Sequence, residues 1–502
     1  MHTEPTDSAP SAEPVLSVGA TPSDPRRWWI LATIGVAQLM VVLDATIVNI
    51  ALPSAQTDLG FSDSGRQWVV TAYAMAFGSL LLLGGRLGDM FGRRRTFLTG
   101  LVGFALSSAL GGAAVTFGVL VTGRVLQGLF AALLAPSALA LLSTTFTDPA
   151  ERGKAFGVFG AIAGSGGGVG LLLGGILTDG LNWRWTMYVN LVFATVAGLG
   201  AVALIKPRPS GRRPELDLPG AALASSGLFC VVYGLSGAGS ASWGSPRTWG
   251  FLAVGAALIA AFVWWQTRTP HPLLPLRIVL DRVRGTAFLA LLIGGAGIFG
   301  VLLFLTYYFQ HTLGYRPVMT GLAFLPMALS ITTTSMVSNI VLLPKAGFRV
   351  LVSTGMVLAA CGMTGLTRLS ETSSYATYVL PALIVFGVGM GLIMSPSINL
   401  GTAGIDPADI GVGSSLIKTM QQVGGSLGTA LLSTIAAGTV ADRLAGKTPT
   451  PQLMAEATLK SYHAAFATSA GIYALGAVVT LTILPRKLPE PVARGAAPSG
   501  RR

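Results

Sequence analysis

The chain has 502 residues, 52% of them hydrophobic and only 11% charged, and its mean hydropathy of +0.66 excludes a set of water-soluble domains. A net charge of +13 would suit a nucleic-acid binder. The basic residues fall in short segments between apolar runs, not on one soluble face, which excludes nucleic acid as a partner and points to a membrane surface.

Residues 1–25 are polar, acidic and rich in Pro, Ser and Ala, and read as a disordered cytoplasmic tail, with the first span acting as an uncleaved signal. A membrane span needs about 20 apolar residues. Such runs recur at 29–51, 67–85, 97–117, 120–145, 154–178, 185–205, 218–237, 248–266, 287–309, 319–343, 349–367, 376–400, 410–438 and 463–484, giving an all-α polytopic membrane protein of 14 spans. Basic, proline-containing linkers at 206–217 and 267–286 punctuate the series as six, two and six. The resulting units are an N-terminal six-helix half over 26–205, linkers with two inserted helices over 206–286, a C-terminal six-helix half over 287–485 and a basic cytoplasmic tail over 486–502. Repeated halves of this kind let transporters enclose a site near the bilayer midplane.

Charge sets the orientation. Of the 33 Lys and Arg residues, 23 fall in the tails and turns of one side and 8 on the other, with Arg124 and Lys418 inside spans. The positive-inside rule puts the richer side, and with it both termini, in the cytoplasm. The turn 401–409 is the exception, with Asp406 and Asp409 and no base; acidic residues weigh little in that rule. Trp28–Trp29 and Trp264–Trp265 read as interfacial anchors. Cys230 and Cys361 lie within apolar runs, so neither a disulfide framework nor a CxxC site is expected.

Few residues in the spans carry chemistry. Asp44 is a mid-span carboxylate, and a charge there costs at least about 2.5 kcal/mol. A narrow apolar setting favours its neutral form, which makes it a candidate proton carrier; a carboxylate locked in a structural ion pair is the other reading. Asn49 lies roughly 140° round the same helix and serves a different neighbour. Arg124 is equally deep and needs a counter-charge or carbonyls, with Asp44 one candidate; Gln127 and Gly128 share its helix face. Gly166, Gly170 and Gly174 repeat every four residues, allowing a close helix crossing, and Gly175 follows. Read as a dinucleotide fingerprint this run fails, because Val169 or Leu171 stands at the third glycine. Lys418 has three readings: a partner of Asp44 in one state, a site for an anionic substrate, or a side chain snorkelling to the cytoplasmic surface. Phe304, Tyr307, Tyr308, Met390 and Met394 are soft and aromatic, suited to an adaptable pocket or to packing.

Several motifs resemble the major facilitator superfamily. The stretch Gly85-Arg86-Leu87-Gly88-Asp89-Met90-Phe91-Gly92-Arg93-Arg94-Arg95 is similar to its turn between spans 2 and 3, with Gly88 and Met90 departing from the pattern. In that comparison Gly85 and Gly92 let helices meet, Asp89 faces a helix N-terminus of the other half, and Arg93 and Arg94 hold the register of a cytoplasmic gate. Leu43-Asp44-Ala45-Thr46-Ile47-Val48-Asn49-Ile50-Ala51-Leu52-Pro53 resembles the first-span signature of the fourteen-span drug:proton antiporters, and the surroundings of Arg124 a fourth-span motif linked to proton coupling. Gly166 to Gly175 resembles the antiporter motif, with Leu171 in place of its proline. Asn182-Trp183-Arg184-Trp185, Tyr188-Val189-Asn190, Asp217-Leu218-Pro219-Gly220 and the run from Gln310 to Pro317 extend the likeness, and 344–349 looks like a worn copy of the 85–95 turn.

The resemblance implies proton-coupled efflux of lipophilic drugs or antibiotics across a bacterial cytoplasmic membrane by alternating access. It implies no cofactor beyond protons, lipid and a lipophilic small molecule as partners, and a monomer. Asn49, Gln127, Tyr307, Tyr308, Met390, Met394 and Lys418 are the candidate substrate residues. An importer or uniporter of a small metabolite on the same fold is the alternative. A membrane enzyme is the weaker one, since His271, His311 and His463 lie at span ends or in turns without matching metal ligands.

Overall fold

The computed structural model describes residues 25–484 apart from 147, 207–216, 242–243, 271, 275 and 403–409. The two tails, but for Pro25, and most of the turn 401–409 therefore lie outside the described residues.

The described chain is helical. In order it forms α1 (Arg27–Leu59), α2 (Asp63–Phe91), α3 (Arg93–Gly112), α4 (Phe117–Thr145), α5 (Pro149–Gly180), α6 (Trp185–Leu204), α7 (Leu218–Ala241) and α8 (Pro246–Gln266). A single turn, α9 (Leu276–Val279), leads to α10 (Arg282–Tyr307), α11 (Pro317–Val337), α12 (Leu343–Leu366), α13 (Leu380–Thr402), α14 (Ile410–Leu444) and α15 (Pro451–Ile483). Apart from α9, each coincides with one of the apolar runs. Among the described residues, eleven are long and apolar enough to cross a membrane by length and composition. Arg93, Arg94 and Arg95 open α3. Helix starts follow local chemistry: Asp148, Ser245, Asp281 and Thr450 each accept a backbone N–H of the first turn, and Pro149, Pro246, Pro317 and Pro451 open their helices.

The 85–95 stretch is tighter than the turn read from the sequence. Helix α2 runs through Gly85 to Phe91, and the connection narrows to Gly92, whose φ of 92° suits glycine. Gly347, with φ 74°, interrupts α12 in the same way inside the worn copy.

Packing repeats along the chain. In the first half α1 packs on α5 and α6, α4 on α2 and α3, and α3 on α6. In the last six helices α10 packs on α14 and α15, α13 on α11 and α12, and α12 on α15. The two sets meet where α2 packs on α14 and α5 on α11. Helices α7 and α8 form a pair whose α7 lies against α2 and α14.

Asp217 fastens that pair. Its carboxylate accepts Trp265 Nε1 at 2.7 Å, Gln266 Nε2 at 2.6 Å and the Gly220 N–H at 2.8 Å, while Gln266 Oε1 accepts the Leu274 N–H at 3.0 Å. Burial acts to raise the Asp217 carboxyl, but hydrogen bonds from Gln266, Gly220, Trp265 and Leu273 outweigh it and hold the group below the ordinary carboxylate range.

Candidate functional site

Helix α1 is seated by glycines. A Cβ on Gly166 would fall 2.9 Å from Val42 Cγ1, and one on Gly174 would fall 2.9 Å from Ile47 Cγ1; Gly170, between them, abuts Thr46 and Leu43. The three glycines thus line the face of α5 turned to α1, as the four-residue spacing predicts. Gly175 points elsewhere, to Pro317 and Val318 of α11, and so joins the two sets of helices. With Leu43, Thr46 and Ile47 fixed on α5, the side chain of Asp44 is turned toward α3, α4 and α6.

There it meets Arg124. Arg124 Nη1 donates to Asp44 Oδ2 at 2.6 Å and to Gln127 Oε1 at 2.8 Å, its Nε donates to the Val69 carbonyl at 3.0 Å, and its Cζ lies 4.4 Å over the Tyr73 ring. The second carboxylate oxygen accepts Gln127 Nε2 at 2.8 Å and Asn190 Nδ2 at 2.7 Å. Ser108 Oγ closes the set, accepting Gln127 Nε2 at 2.7 Å and Asn190 Nδ2 at 3.3 Å. Asp44, Gln127, Asn190, Ser108 and Tyr73 are 0% exposed and Arg124 is 1% exposed. Five of the first six helices contribute to this dry network. An ion pair so placed is held by hydrogen bonds rather than by solvent, and removing either charge leaves the other uncompensated, at a cost of about 3–5 kcal/mol.

Sequence reasoning missed Ser108, Tyr73 and the role of Asn190. The available signal was a polar residue in the middle of an apolar run, which in a membrane needs a partner. Asn190 Oδ1 and the Tyr73 hydroxyl have no protein partner.

The other candidate residues are dispersed. Asn49 is buried and turns back on its own helix, donating to the Ala45 carbonyl at 3.1 Å. Tyr307 donates to Gln56 Oε1 at 2.7 Å and carries Arg66 4.0 Å over its ring, whereas Tyr308 donates to the Ser370 carbonyl at 2.8 Å. Met390 and Met394 instead flank Gly294, thirteen positions back along α10 and roughly 20 Å away. Met390 Sδ accepts the Tyr473 hydroxyl and Met394 Sδ accepts Gln421 Nε2. The tyrosines and methionines therefore do not share one pocket. Lys418 is half-buried on α14.

In the 85–95 stretch, a Cβ on Gly85 would fall 3.6 Å from Pro136 Cβ of α4 and 3.9 Å from Ser415 Oγ of α14. Arg93 Nη1 donates to the Ala140 carbonyl at 3.2 Å and Arg94 Nη2 to the Val202 carbonyl at 3.1 Å, tying the start of α3 to the ends of α4 and α6. The side chain of Asp89 lies outside the described residues. Among those residues no group of three or more His, Cys, Asp or Glu is arranged to hold a metal.

The two sets of helices are sealed at the opposite end. Arg316 donates to both Asp179 oxygens, at 3.0 and 2.7 Å, and Gln310 Nε2 to the Ile50 carbonyl at 3.0 Å. Beneath them one apolar cluster runs from Ile50, Leu52 and Leu171 across to Leu305, Phe309 and Phe324.

The sequence and fold have clear relatives. The chain is 48% identical to a puromycin resistance protein of Streptomyces alboniger, over 94% of each chain. It is 38% identical to a cephamycin export protein of Amycolatopsis lactamdurans, over 80% of this chain and 83% of that one. It is 34% identical to a tetracenomycin C resistance and export protein of Streptomyces glaucescens, over 83% and 77%. Among solved structures, a bacterial homolog of the human lysosomal transporter Spinster, inward-facing and unoccupied, aligns with a TM-score of 0.62 at 16% identity, covering 91% of this chain and 98% of that one. An auto-inhibited peptide transporter of the POT family aligns with a TM-score of 0.64 at 17% identity, covering 91% and 96%. The profile of the Major Facilitator Superfamily matches residues 34–429, and the chain belongs to that superfamily of membrane transporters.

Proposed function

We propose that this protein exports an antibiotic or other lipophilic drug across a bacterial cytoplasmic membrane in exchange for protons. The observation that carries the reading is the dry Asp44–Arg124 pair. Neutralising Asp44 with a proton strips Arg124 of its counter-charge, and the molecule relieves that cost by rearranging the helices that hold the pair. Protons moving down their gradient supply about 2.3 kcal/mol per charge per 100 mV, plus the pH difference. The kinship with resistance and export proteins supports the outward direction and the antibiotic substrate.

In this reading all fourteen long helices span the bilayer as six, two and six, both termini are cytoplasmic and the protein works as a monomer. The repeated pairings of α1–α6 and α10–α15, and the glycine breaks at Gly92 and Gly347, support the two halves. Helices α2, α3 and α5 count as spans because each packs among apolar neighbours. The seal at Asp179–Arg316 lies on the outer side, so the conformation is closed to the outside. The 85–95 stretch serves as the inner gate of the opposite state, with Asp89 its acidic member.

The direct test is accumulation of puromycin, tetracenomycin C and a cephamycin in an efflux-deficient bacterium. Expression lowers accumulation of at least one, and a protonophore abolishes the effect. Unchanged accumulation of all three, or an increase, would contradict export.

A further inference from the structure

The Asp44–Arg124 network leaves the half-buried Lys418 unused. Lys418 sits on the third turn of α14, and the contacts of that helix fix the direction in which it projects. Ser415 and Gln422 face α2, at Gly85 and Gly78. Gln421 and Gly424 meet α10 at Gly295 and Leu292. Val423, Leu427 and Ala430 join an apolar cluster with Leu228 and Val232 of α7, and Thr434 donates to the Leu235 carbonyl. At about 100° per residue, Lys418 lies roughly 60° from Ser415 and roughly 60° from Gln421, nearly opposite the α7 face. It therefore projects into the seam between α2 of the first half and α10 of the second, not outward beneath the inserted pair.

Two further facts distinguish this position from a lysine snorkelling to the surface. First, among the described residues Lys418 has no hydrogen-bond or ion-pair partner, and α10–α15 place no buried carboxylate. Second, its neighbour on the same turn is polar and under-used. Gln421 Nε2 donates only to the weak acceptor Met394 Sδ at 3.3 Å. With Asp44 neutralised by Arg124, Lys418 leaves the described interior with one uncompensated positive charge.

We infer that Lys418 is a substrate-recognition residue and that the seam at α14 takes an organic anion, whose carboxylate or phenolate meets the Lys418 ammonium while Gln421 supplies a neighbouring hydrogen bond. The inference deepens the export reading and rests on it. A fixed cation with no partner attracts an anion strongly in a poorly hydrated seam and repels a cation by the same physics. The inside-negative membrane potential then helps to drive the bound anion outward.

Matched xanthene dyes test this, fluorescein as the anion and rhodamine 123 as the cation, by fluorescence polarisation with the purified full-length protein. The wild type should bind fluorescein at least tenfold tighter than rhodamine 123. Lys418→Gln should abolish that preference, Lys418→Arg should keep it and Lys418→Glu should invert it, all with an unchanged melting temperature. Equal binding of the two dyes by the wild type, or a preference that survives in Lys418→Gln, overturns the assignment. The two readings fail separately: export of the antibiotic panel that is equal in wild type and Lys418→Gln, alongside charge-blind dye binding, sinks the anion site and leaves efflux standing. Selective dye binding with no export of any compound keeps the anion site and sinks efflux.

Discussion

Each atom of the Asp44 network has a distinct task. Arg124 compensates the charge, Gln127 bridges the carboxylate to Ser108, and Asn190 supplies a third donor from α6. Once Asp44 carries a proton it becomes a donor and needs an acceptor. The Asn190 carboxamide, whose Oδ1 has no protein partner, provides one by a half-turn of its amide. Asn190→Ala should therefore alter both protonation states, shifting the pH midpoint of export and lowering its rate roughly tenfold, a loss of about 1–3 kcal/mol. Transport measured from pH 5.5 to 8.5 checks this, and a pH profile identical to wild type would show Asn190 to be packing. The sequence made Asp44 and Arg124 legible one by one, because an ionisable residue in an apolar run is conspicuous. Their contact joins helices 80 positions apart, and a tertiary pairing leaves no local trace; Asn190, uncharged within its apolar run, gave only a faint signal.

At the scale of the element, the glycine face of α5 decides where Asp44 points. A Cβ on Gly174 meets both Ile47 Cγ1 and the Ile47 carbonyl at 2.9 Å, whereas a Cβ on Gly167 meets nothing within 4 Å. Gly174→Val should lower the melting temperature in detergent by several degrees and impair export, and Gly167→Ala should do neither. Both can be followed by thermal shift and drug accumulation. Such steric costs are typically about 1–3 kcal/mol. The inserted pair depends on its own anchor. Asp217 is held below the ordinary carboxylate range, taken as 3.8, so its contribution is fully present above that value and disappears as pH falls through the lower native one. Asp217→Asn should thus melt earlier than wild type at pH 7, and the gap should close progressively as the pH is taken below about 3.8. A gap independent of pH would mean the carboxylate charge is unimportant there. Helix positions were readable because apolar length is a local property; the collapse of the 85–95 turn to Gly92 was not, since glycine and arginine content signals a break without giving its length.

For the molecule as a whole, one end is closed by a latch that mixes polar and aromatic contacts. Asp179–Arg316 is partly exposed, with the Arg316 side chain 75% accessible, so the pair itself contributes only about 0–1 kcal/mol. Tyr307 is buried between Gln56 and Arg66 and binds the halves more firmly. Arg316→Ala alone should leave the conformational balance nearly unchanged, while Arg316→Ala with Tyr307→Phe should shift it toward the open-outside state. Spin labels placed at the outer ends of α1 and α10 report this as a longer distance population in the double variant. No change in the double variant would show that the apolar cluster beneath alone closes that end. The linkers suggested a six, two and six division, and the proposal keeps it because the packing pairs repeat. The seal between halves was not foreseen, because Tyr307 and Tyr308 look the same in sequence whether they line a pocket or close a gate.

The central claim is that proton binding at Asp44 is exchanged for drug, and proton movement itself tests it most directly. Proteoliposomes loaded with a pH-sensitive dye should show a proton flux on addition of an exported antibiotic. Asp44→Asn should bind the antibiotic but produce no flux, and Asp44→Glu should restore part of it. A wild-type protein that moves drug without protons, or an Asp44→Asn variant that drives the same proton flux as wild type, would contradict the account.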